Sequence, residues 1–406
     1  MSDTVVVIGG GPAGMMSAIV AAARGKSVIL IEKNDSLGRK LLITGKGRCN
    51  ITNDCDISDF IPNVPVNGNF LYSAFYSFTN RDLISMLEKA GLQTKVERGG
   101  RVFPVSDKAI DVLNALKRLL KHYGVRVVRA EVNDIKVSSS CKEVVVNGNR
   151  VVRCNSVIIA TGGISYPKTG STGDGYRFAG KLGHTVTELK GSLVPLNIKS
   201  PYIPKLMGLS LKNTAVKVYR DSQQIYDDFG EMLFTHYGVS GPVILSASSH
   251  MRNFKNHTYE LIIDLKPALD NDTLDKRILR DFIKEKNKMF INSLDDLLPK
   301  KMIPVVVEMT GIDPQKQVNE ITREERKTLL TTLKKMRFKV DSLRPVSDAI
   351  ITSGGVSVKE INPKTMESKL CPGVYFAGEV IDVDAYTGGF NLQIAFSTGY
   401  LAGKNV

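Results

Sequence analysis

The chain has 406 residues, a length that suggests two or three domains. Its 42% hydrophobic and 24% charged residues are globular values, which exclude the disordered class. Five cysteines form no CxxC pair and no Cys/His ligand spacing, so structural disulfides and zinc are not expected. We therefore predict no metal site.

The net charge of +14 is spread along the chain. Residues 191–345 hold 25 Lys and Arg against 19 Asp and Glu, which places +6 there. Because there is no polybasic tail and no basic run with interleaved aromatics, we interpret the charge mainly as solubility and local anion binding, and we consider nucleic acid an unlikely partner. No apolar run reaches the ~20 residues of a membrane helix, and an apolar strand begins without a basic leader. We expect a cytoplasmic protein without membrane association.

The first 32 residues predict a strand, a turn, a helix and a second strand. Two continuous apolar runs, 4–8 and 27–32, are typical of buried parallel strands, and a helix through about Arg24 lies between them. Next come a helix near 80–90 capped by Thr79 or Asn80, a helix over 107–123 and a hairpin turn within 146–151. A buried strand over 155–163 and a helix over 174–183 follow.

The sequence texture changes near residue 190. Prolines at 195, 201 and 204 mark a linker, followed by β-rich sequence (211–226, 258–264) and lysine-rich amphipathic helices (270–290, 300–310, 322–335). The α/β pattern returns with 348–355, a buried strand over 373–380 and a last helix from Gly388 to about Leu401. We therefore predict an α/β fold with three parts: 1–190, an inserted region 191–345, and 346–406.

The turn after the first strand carries Gly9-x-Gly11-x-x-Gly14. It follows a strand, opens a helix and is followed, 18 residues after Gly14, by Glu32 at the end of the second strand. In that setting the glycines allow a tight turn, approach of a pyrophosphate and close packing of helix on strand. The motif predicts an adenine dinucleotide, with its phosphates on the helix N-terminus and its ribose on Glu32.

Two further motifs indicate what the dinucleotide carries. The stretch GRKLLITGKGRCNIT (38–52) combines four cations with two glycines, Gly45 and Gly47, that bracket Lys46, which suits a pyrophosphate or a flat ring that becomes anionic on reduction. In 377–404, a strand ends at Gly378-Glu379 and Gly388-Gly389 opens the last helix. An acidic side chain there can bind ribityl hydroxyls, and the helix dipole can favour a reduced flavin anion.

These motifs, together with VIIATGG and GEMLFTHYGVSGP, resemble the BaiN-like (YhiN-like) family of FAD-dependent oxidoreductases over essentially the whole chain. The resemblance implies a discontinuous, Rossmann-like FAD-binding domain built from both chain ends, with an inserted β-barrel-like and helical substrate region. Members are described as reductases of unsaturated steroid-type ketones or as aminoacetone oxidases. We therefore expect hydride transfer between flavin N5 and a small organic substrate, with NADH, NADPH or O₂ as the second redox partner.

Most of the predicted cofactor-binding residues come from these motifs. They are Gly9, Gly11, Pro12, Ala13, Gly14, Glu32, Lys33, Arg39, Lys40, Thr44, Gly45, Gly47, Arg48, Cys49, Asn50, Val132, Ala160, Thr161, Gly162, Gly378, Glu379, Asp382, Gly388, Gly389, Asn391 and Leu392. Glu379 stands where related flavoproteins frequently have Asp, so a direct flavin contact from its longer side chain is not assumed.

The sequence does not identify the catalytic residues. Three weak candidates are His236, as a proton relay, Cys49, as a redox thiol, and Tyr386, as a substrate-stacking ring; a structural role is open for each. No second complete glycine fingerprint appears, so a nicotinamide would bind only transiently over the flavin. Two alternatives also stay open: a flavoprotein that acts on or binds RNA, motivated by the charge, and a flavin redox sensor without turnover.

Overall fold

The computed structural model describes residues 3–138 and 141–406. Its helices are α1 Pro12–Ala23, α2 Arg39–Ile43, α3 Tyr72–Ser77, α4 Asn80–Lys89, α5 Ala109–His122, α6 Asp174–Lys181, α7 Tyr202–Leu206, α8 Pro242–Ser248, α9 Asn271–Lys284, α10 Ile303–Thr310, α11 Arg323–Lys334 and α12 Phe390–Asn405.

The strands are β1 Thr4–Ile8, β2 Ser27–Glu32, β3 Thr52–Asn53, β4 Thr94–Glu97, β5 Arg101–Pro104, β6 Arg126–Arg129, β7 Val132–Val137, β8 Lys142–Val146, β9 Arg150–Cys154, β10 Ser156–Ile159, β11 Lys190–Ser192, β12 Leu196–Asn197, β13 Ser210–Arg220, β14 Gln223–Phe234, β15 Gly238–Ser240, β16 Tyr259–Asp264, β17 Met336–Val340, β18 Ser342–Leu343, β19 Ile351–Ser353 and β20 Val374–Phe376. They belong to two compact units, residues 1–192 with 346–406, and residues 193–345.

The first unit is organised around a five-stranded parallel sheet in the order β20-β10-β1-β2-β6. Val5, Val6 and Val7 of the central strand are fully buried, as expected for a parallel strand covered on both faces. Because β20 comes from the end of the chain and β1 from its beginning, both termini build one sheet. Parallel strands place all their carboxyl ends at one edge, where such sheets bind ligands.

Smaller elements surround this sheet. The antiparallel sheets β3-β5-β4 and β7-β8-β9 and the pair β11–β19 lie in the same unit. The predicted hairpin between β8 and β9 is confirmed: three residues connect the paired Val146 and Arg150, and two of them, Asn147 (φ 47°) and Gly148 (φ 89°), have the positive φ that Asn and Gly tolerate in turns. The predicted last helix begins later than expected, at Phe390, because Gly388 (φ 121°) and Gly389 (φ 105°) have left-handed backbones that a right-handed helix excludes.

The second unit is a seven-stranded antiparallel sheet in the order β17-β16-β13-β14-β15-β12-β18, with helices packed against it. The edge strands β17 and β18 are separated in the chain by Asp341 alone. The two edges must therefore lie close together, so the sheet is curled in the manner of a barrel. The three predicted lysine-rich helices are observed as α9, α10 and α11.

Within the residues that the structure describes, no helix combines the length and apolar character needed to cross a membrane.

The N-terminus of α4 carries the cap that the sequence predicts. The Thr79 hydroxyl accepts from the Asp82 amide, and the Asp82 carboxylate accepts from the Thr79 amide. Replacing Thr79 with Ala should lower the free energy of unfolding by about 1 kcal/mol, because the Asp82 amide loses its acceptor and the Asp82 carboxylate loses the Thr79 hydroxyl as a donor. Chemical denaturation would measure the change. Ser85→Ala, in the same helix, serves as the control and should change stability by less than about 0.5 kcal/mol. Equal losses in both variants would contradict the capping role.

Candidate cofactor and active site

A large cavity of about 1300 Å³ lies in the first unit, at the carboxyl edge of the parallel sheet. The segments after β1, β2, β10 and β20 line it together with α2 and the first turn of α12. This figure includes space open to solvent. The lining draws on both ends of the chain, as an extended ligand such as a dinucleotide requires.

Two glycines of the fingerprint, Gly9 and Gly11, line the cavity at the start of α1. A Cβ on Gly14 would collide with the carbonyl oxygen of Gly9, so glycine is required there for the helix to pack on the strand. A Cβ on Gly11 would meet no protein atom within 4 Å. Gly11 is the N-cap of α1, whose first amides have no partner within the helix. These amides therefore provide an anion site at the cavity wall.

The carboxylate of Glu32 is held in place by main-chain and side-chain amides. One oxygen accepts from the Gly10 amide at 2.7 Å, and the other accepts from the Asn34 amide at 2.8 Å and from the Asn34 side chain at 2.7 Å. Each carboxylate oxygen can accept more than one hydrogen bond, so the fixed group can still bind ribose hydroxyls.

Four segments meet in a polar cluster at the opposite part of the cavity lining. The Lys40 ammonium lies 2.6 Å from Glu379 Oε2 and 2.6 Å from the Ser165 hydroxyl. Glu379 Oε1 accepts from the Ser165 hydroxyl at 2.8 Å and from the Thr352 amide at 2.9 Å. Glu379 therefore connects its own segment to the segments of Lys40, Ser165 and Thr352. The Lys40 side chain in this cluster also lines the cavity.

The start of α12 lies beside this cluster. Leu392 and Ala395 line the cavity, and the side chain of Asn391 bonds to the amide and carbonyl of Ala385 and to the carbonyl of Tyr386. This arrangement fixes the loop after β20 on the N-terminus of α12. The positive end of the helix dipole is thus placed at the cavity.

Only part of the loop over 44–50 lines the cavity. Thr44 lines the cavity, whereas the Arg48 guanidinium pairs with Glu97 and Asp107 and stacks 4.1 Å from the centre of the Phe103 ring. The hydrogen bond between Arg48 and Glu97 raises the pKa of Arg48 and lowers the pKa of Glu97. The pKa of Asp107 is lowered first by its hydrogen bond from Lys95 and then by the one from Arg48. Arg48 therefore anchors the loop to β4 and β5.

The structure brings many of the predicted cofactor residues into the cavity lining. These are Gly9, Gly11, Pro12, Ala13, Glu32, Lys33, Arg39, Lys40, Thr44, Val132, Ala160, Thr161, Gly162, Gly378, Glu379, Asn391 and Leu392. The remaining predicted residues do not line it: Gly14, Gly45, Gly47, Arg48, Cys49, Asn50, Asp382, Gly388 and Gly389. Several of these shape the adjoining turns instead, since Gly45, Gly47, Cys49, Gly388 and Gly389 have positive φ.

The three weak catalytic candidates lie in different surroundings. His236 is exposed in the turn between β14 and β15 of the second unit, with its ring 4.8 Å from that of Tyr237. Tyr386 is half-buried, and its amide donates to the Asn63 carbonyl. Cys49 is fully buried, and burial raises its pKa to about 12, so the thiolate needed by a redox thiol is disfavoured.

Other cavity-lining residues were not predicted. They include Asn34, Glu131, Thr169, Ser171, Asp174, Phe178, Ile350, Ile351 and Val383. The GSTGDG stretch at 170–175 resembles a phosphate loop in sequence and could have indicated Ser171 and Asp174. The apolar residues carry no such sequence pattern.

The residues present fit an FAD molecule. The free amides of α1 suit the pyrophosphate, and the oriented Glu32 carboxylate suits the adenosine ribose. Thr161 also lines the cavity, and its buried hydroxyl oxygen, which has no hydrogen-bond partner among the described residues, lies against Gly175.

The parallel sheet, the fingerprint and the cavity define an FAD-dependent oxidoreductase. The chain matches the HI0933-like protein Rossmann domain over residues 3–405 and belongs to this family. This match confirms the resemblance drawn from the motifs.

Three known proteins illustrate the family and the fold. The chain is 30% identical to a 3-dehydro-bile acid delta(4,6)-reductase of Clostridium scindens, over 98% of this chain and 97% of the relative. It is 31% identical to a ribosomal RNA dihydrouridine synthase of Haemophilus influenzae, over 99% and 98%. It also resembles the structure of a 3-ketosteroid delta1-dehydrogenase from Sterolibacterium denitrificans, with a TM-score of 0.52, 13% identity and 99% coverage of each chain. The last likeness concerns the fold alone.

The Gly11 environment yields a test of the phosphate site. Gly11→Ala should leave the melting temperature nearly unchanged, because the new methyl group meets no protein atom. It should weaken FAD binding about tenfold or more, about 1.4 kcal/mol, by occupying the approach of the pyrophosphate. Flavin fluorescence titration measures the dissociation constant. Gly180→Ala, an exposed site in α6 with equally open space, is the matched control and should bind FAD normally. Normal FAD affinity in Gly11→Ala would show that the pyrophosphate does not bind close to the Gly11 backbone.

The burial of Cys49 yields a second test. At pH 8 its thiol should resist iodoacetamide in the folded protein, because the pKa near 12 keeps it protonated and the side chain has no exposed surface. The half-buried Cys141 provides the comparison and should be alkylated. Mass spectrometry of peptides measures both sites, and denatured protein gives the reference for full labelling. Rapid native labelling of Cys49 would restore it as a redox candidate.

Proposed function

We propose that this chain is a flavin-dependent reductase of a carbon–carbon double bond conjugated to a carbonyl, and that this bond belongs to a uracil ring in ribosomal RNA. The observation that carries the proposal is the full-length similarity, at 31% identity, to a protein named ribosomal RNA dihydrouridine synthase. The net charge of +14 supports a polyanionic substrate. The proposal departs from our expectation that nucleic acid is an unlikely partner, which relied on the lack of a basic tail.

The names of the two full-length relatives describe one type of chemical step. In a 3-keto bile acid, double bonds at positions 4 and 6 are conjugated with the carbonyl. In uridine, the C5–C6 double bond is conjugated with the C4 carbonyl. Reduction in either case adds a hydride to a carbon activated by that carbonyl and a proton to its partner carbon. A shared reaction class therefore accounts for both names.

Bound FAD would supply the two-electron step, accepting a hydride from NADH or NADPH and donating one to the substrate carbon. The amides of α1 and the Glu32 carboxylate would hold the adenosine and phosphate half. The N-terminus of α12 gives its part of the cavity a positive potential, whereas the charge of Lys40 is balanced by Glu379. That potential would favour the negative charge that develops during hydride transfer.

A 3-keto steroid acid is the second candidate substrate. Its support is the Clostridium relative, which is 30% identical over 98% of this chain. Ile350, Ile351 and Val383 add apolar surface to the cavity lining, and such surface suits a steroid skeleton. We prefer the uracil ring of RNA as the substrate. A steroid acid carries a single negative charge, whereas RNA is a polyanion that the net positive charge of this chain would attract.

The proposal is tested by turnover on two substrates. The FAD-loaded protein, supplied with NADH and separately with NADPH, is incubated with an unmodified ribosomal RNA transcript and with a 3-keto-Δ4 bile acid. We expect nucleoside mass spectrometry to detect dihydrouridine in the RNA, with one NAD(P)H consumed for each dihydrouridine formed.

The control is the Gly11→Ala protein, which should produce less dihydrouridine at limiting FAD and recover at high FAD. Reduction of the bile acid without reduction of the RNA would identify the 3-keto steroid acid as the substrate and contradict the RNA proposal. Reduction of neither substrate, by a protein shown to hold FAD, would contradict the proposed reaction class.

A further inference from the structure

An exposed aromatic pair lies on the first unit, outside the cavity. The rings of Tyr72 and Tyr76 are stacked, with centres 5.0 Å apart and planes within 14° of parallel. They are 55% and 50% exposed, although large aromatic side chains are usually found in the core. Their positions in α3 differ by four residues, so they lie on one helix face. Phe75 of the same helix is fully buried and supplies its packing.

The exposed ridge continues into the preceding turn. Asn69 precedes Tyr72 by three residues and is exposed. Its side-chain amide has no hydrogen-bond partner within the described ranges 3–138 and 141–406. Beside it lies an open groove lined by Ile61, Val64, Asn67, Gly68, Asn69, Phe70 and Val358. The surface thus combines two flat rings, a groove with both polar and apolar lining groups, and the free side-chain amide of Asn69. These are the components with which proteins bind unpaired nucleobases.

The groove adjoins the wall of the FAD cavity. The Asn67 side chain donates to the Asp382 carbonyl at 2.7 Å, and Val66 forms a bridge with Asp384. Val383, between these two residues, lines the cavity itself. A short segment of chain therefore has the groove on one side and the cofactor cavity on the other.

We propose that Asn69, Tyr72, Tyr76 and the adjoining groove form a docking surface for single-stranded RNA next to the target uridine. This proposal depends on the proposed RNA function. A base would extend the tyrosine stack on its free face, and the Asn69 amide can donate to or accept from a base edge. The arrangement would hold the nucleotides that flank the uridine while that base enters the cavity.

The charges near the groove indicate contact with bases and not with phosphates. Asp56 and Asp59 are exposed on the turn that precedes it, and their carboxylates would repel a phosphate backbone. Two exposed cations, Lys359 and Lys369, lie next to the groove residue Val358, and the Lys369 ammonium donates to the Lys359 carbonyl at 2.8 Å. The two lysines and the two aspartates cancel in charge, so the surface has no net attraction for phosphates. Binding energy at this surface should therefore come mainly from stacking, which is insensitive to salt, while other cations of the chain supply the salt-dependent part.

The test measures binding of a short poly(U) oligonucleotide to the FAD-loaded protein at several salt concentrations. The double variant Tyr72→Ala/Tyr76→Ala should bind about tenfold or more weakly, with the slope of log K against log salt unchanged. Tyr72→Phe/Tyr76→Phe keeps both rings and should bind nearly as the native protein does. Tyr123→Ala removes another exposed ring, 41% exposed at the end of α5, and should have no effect.

Each other outcome has a separate meaning. Native-like poly(U) binding by the double alanine variant, with dihydrouridine still formed at an unchanged KM, would overturn the docking surface and leave the proposed function standing. If the native protein neither binds nor reduces RNA, the proposed function fails and the docking surface with it. A change in oligomeric state caused by the alanine variant, measured by light scattering, would make the ridge a contact between copies of this chain and would also overturn the proposal.

Discussion

The structure of the first unit depends on the close contact between the start of α1 and the end of β1. Gly14 lies so near the Gly9 carbonyl that no side chain fits between them. That contact points the free amides of α1 at the carboxyl edge of the parallel sheet. The same edge receives β20, from the other end of the chain, and the start of α12. One backbone contact thus determines where an anionic dinucleotide can bind and which distant segments surround it.

The chemistry of the cavity follows from a division of roles among charged residues. Glu32 is fixed by amides at one part of the lining, whereas Glu379 is tied to Lys40, Ser165 and Thr352 at another. The first arrangement suits neutral hydroxyls, and the second fixes an ion pair in the cavity wall. Arg48, although it belongs to the same sequence motif as Lys40, is used to hold its loop against β4 and β5. A single basic stretch therefore serves both binding and anchoring.

Local constraints were predictable from the sequence, and long-range pairings were not. The roles of the fingerprint glycines could be predicted because each position in this turn sterically requires a residue without a side chain. The position of Arg48 could not, because its partners Glu97 and Asp107 lie about fifty residues away in the chain and no periodicity relates them. Burial of Cys49 is likewise a tertiary property. The start of α12 was misplaced by two residues because paired glycines fit both a helix cap and the preceding turn. The charge pattern was least informative, since cations distant in sequence can share one surface.

The central claim is that this flavoprotein passes a hydride to an RNA base. The most direct measurement is an anaerobic single turnover, in which the FAD-loaded protein is fully reduced, freed of nicotinamide and mixed with unmodified ribosomal RNA transcript in a stopped-flow instrument. Our account predicts that the visible absorbance of oxidised flavin returns with RNA present and does not return with buffer alone. It also predicts dihydrouridine in the quenched RNA in an amount equal to the flavin reoxidised. Flavin that stays reduced in the presence of RNA, while a 3-keto-Δ4 steroid or O₂ reoxidises it, would contradict the claim.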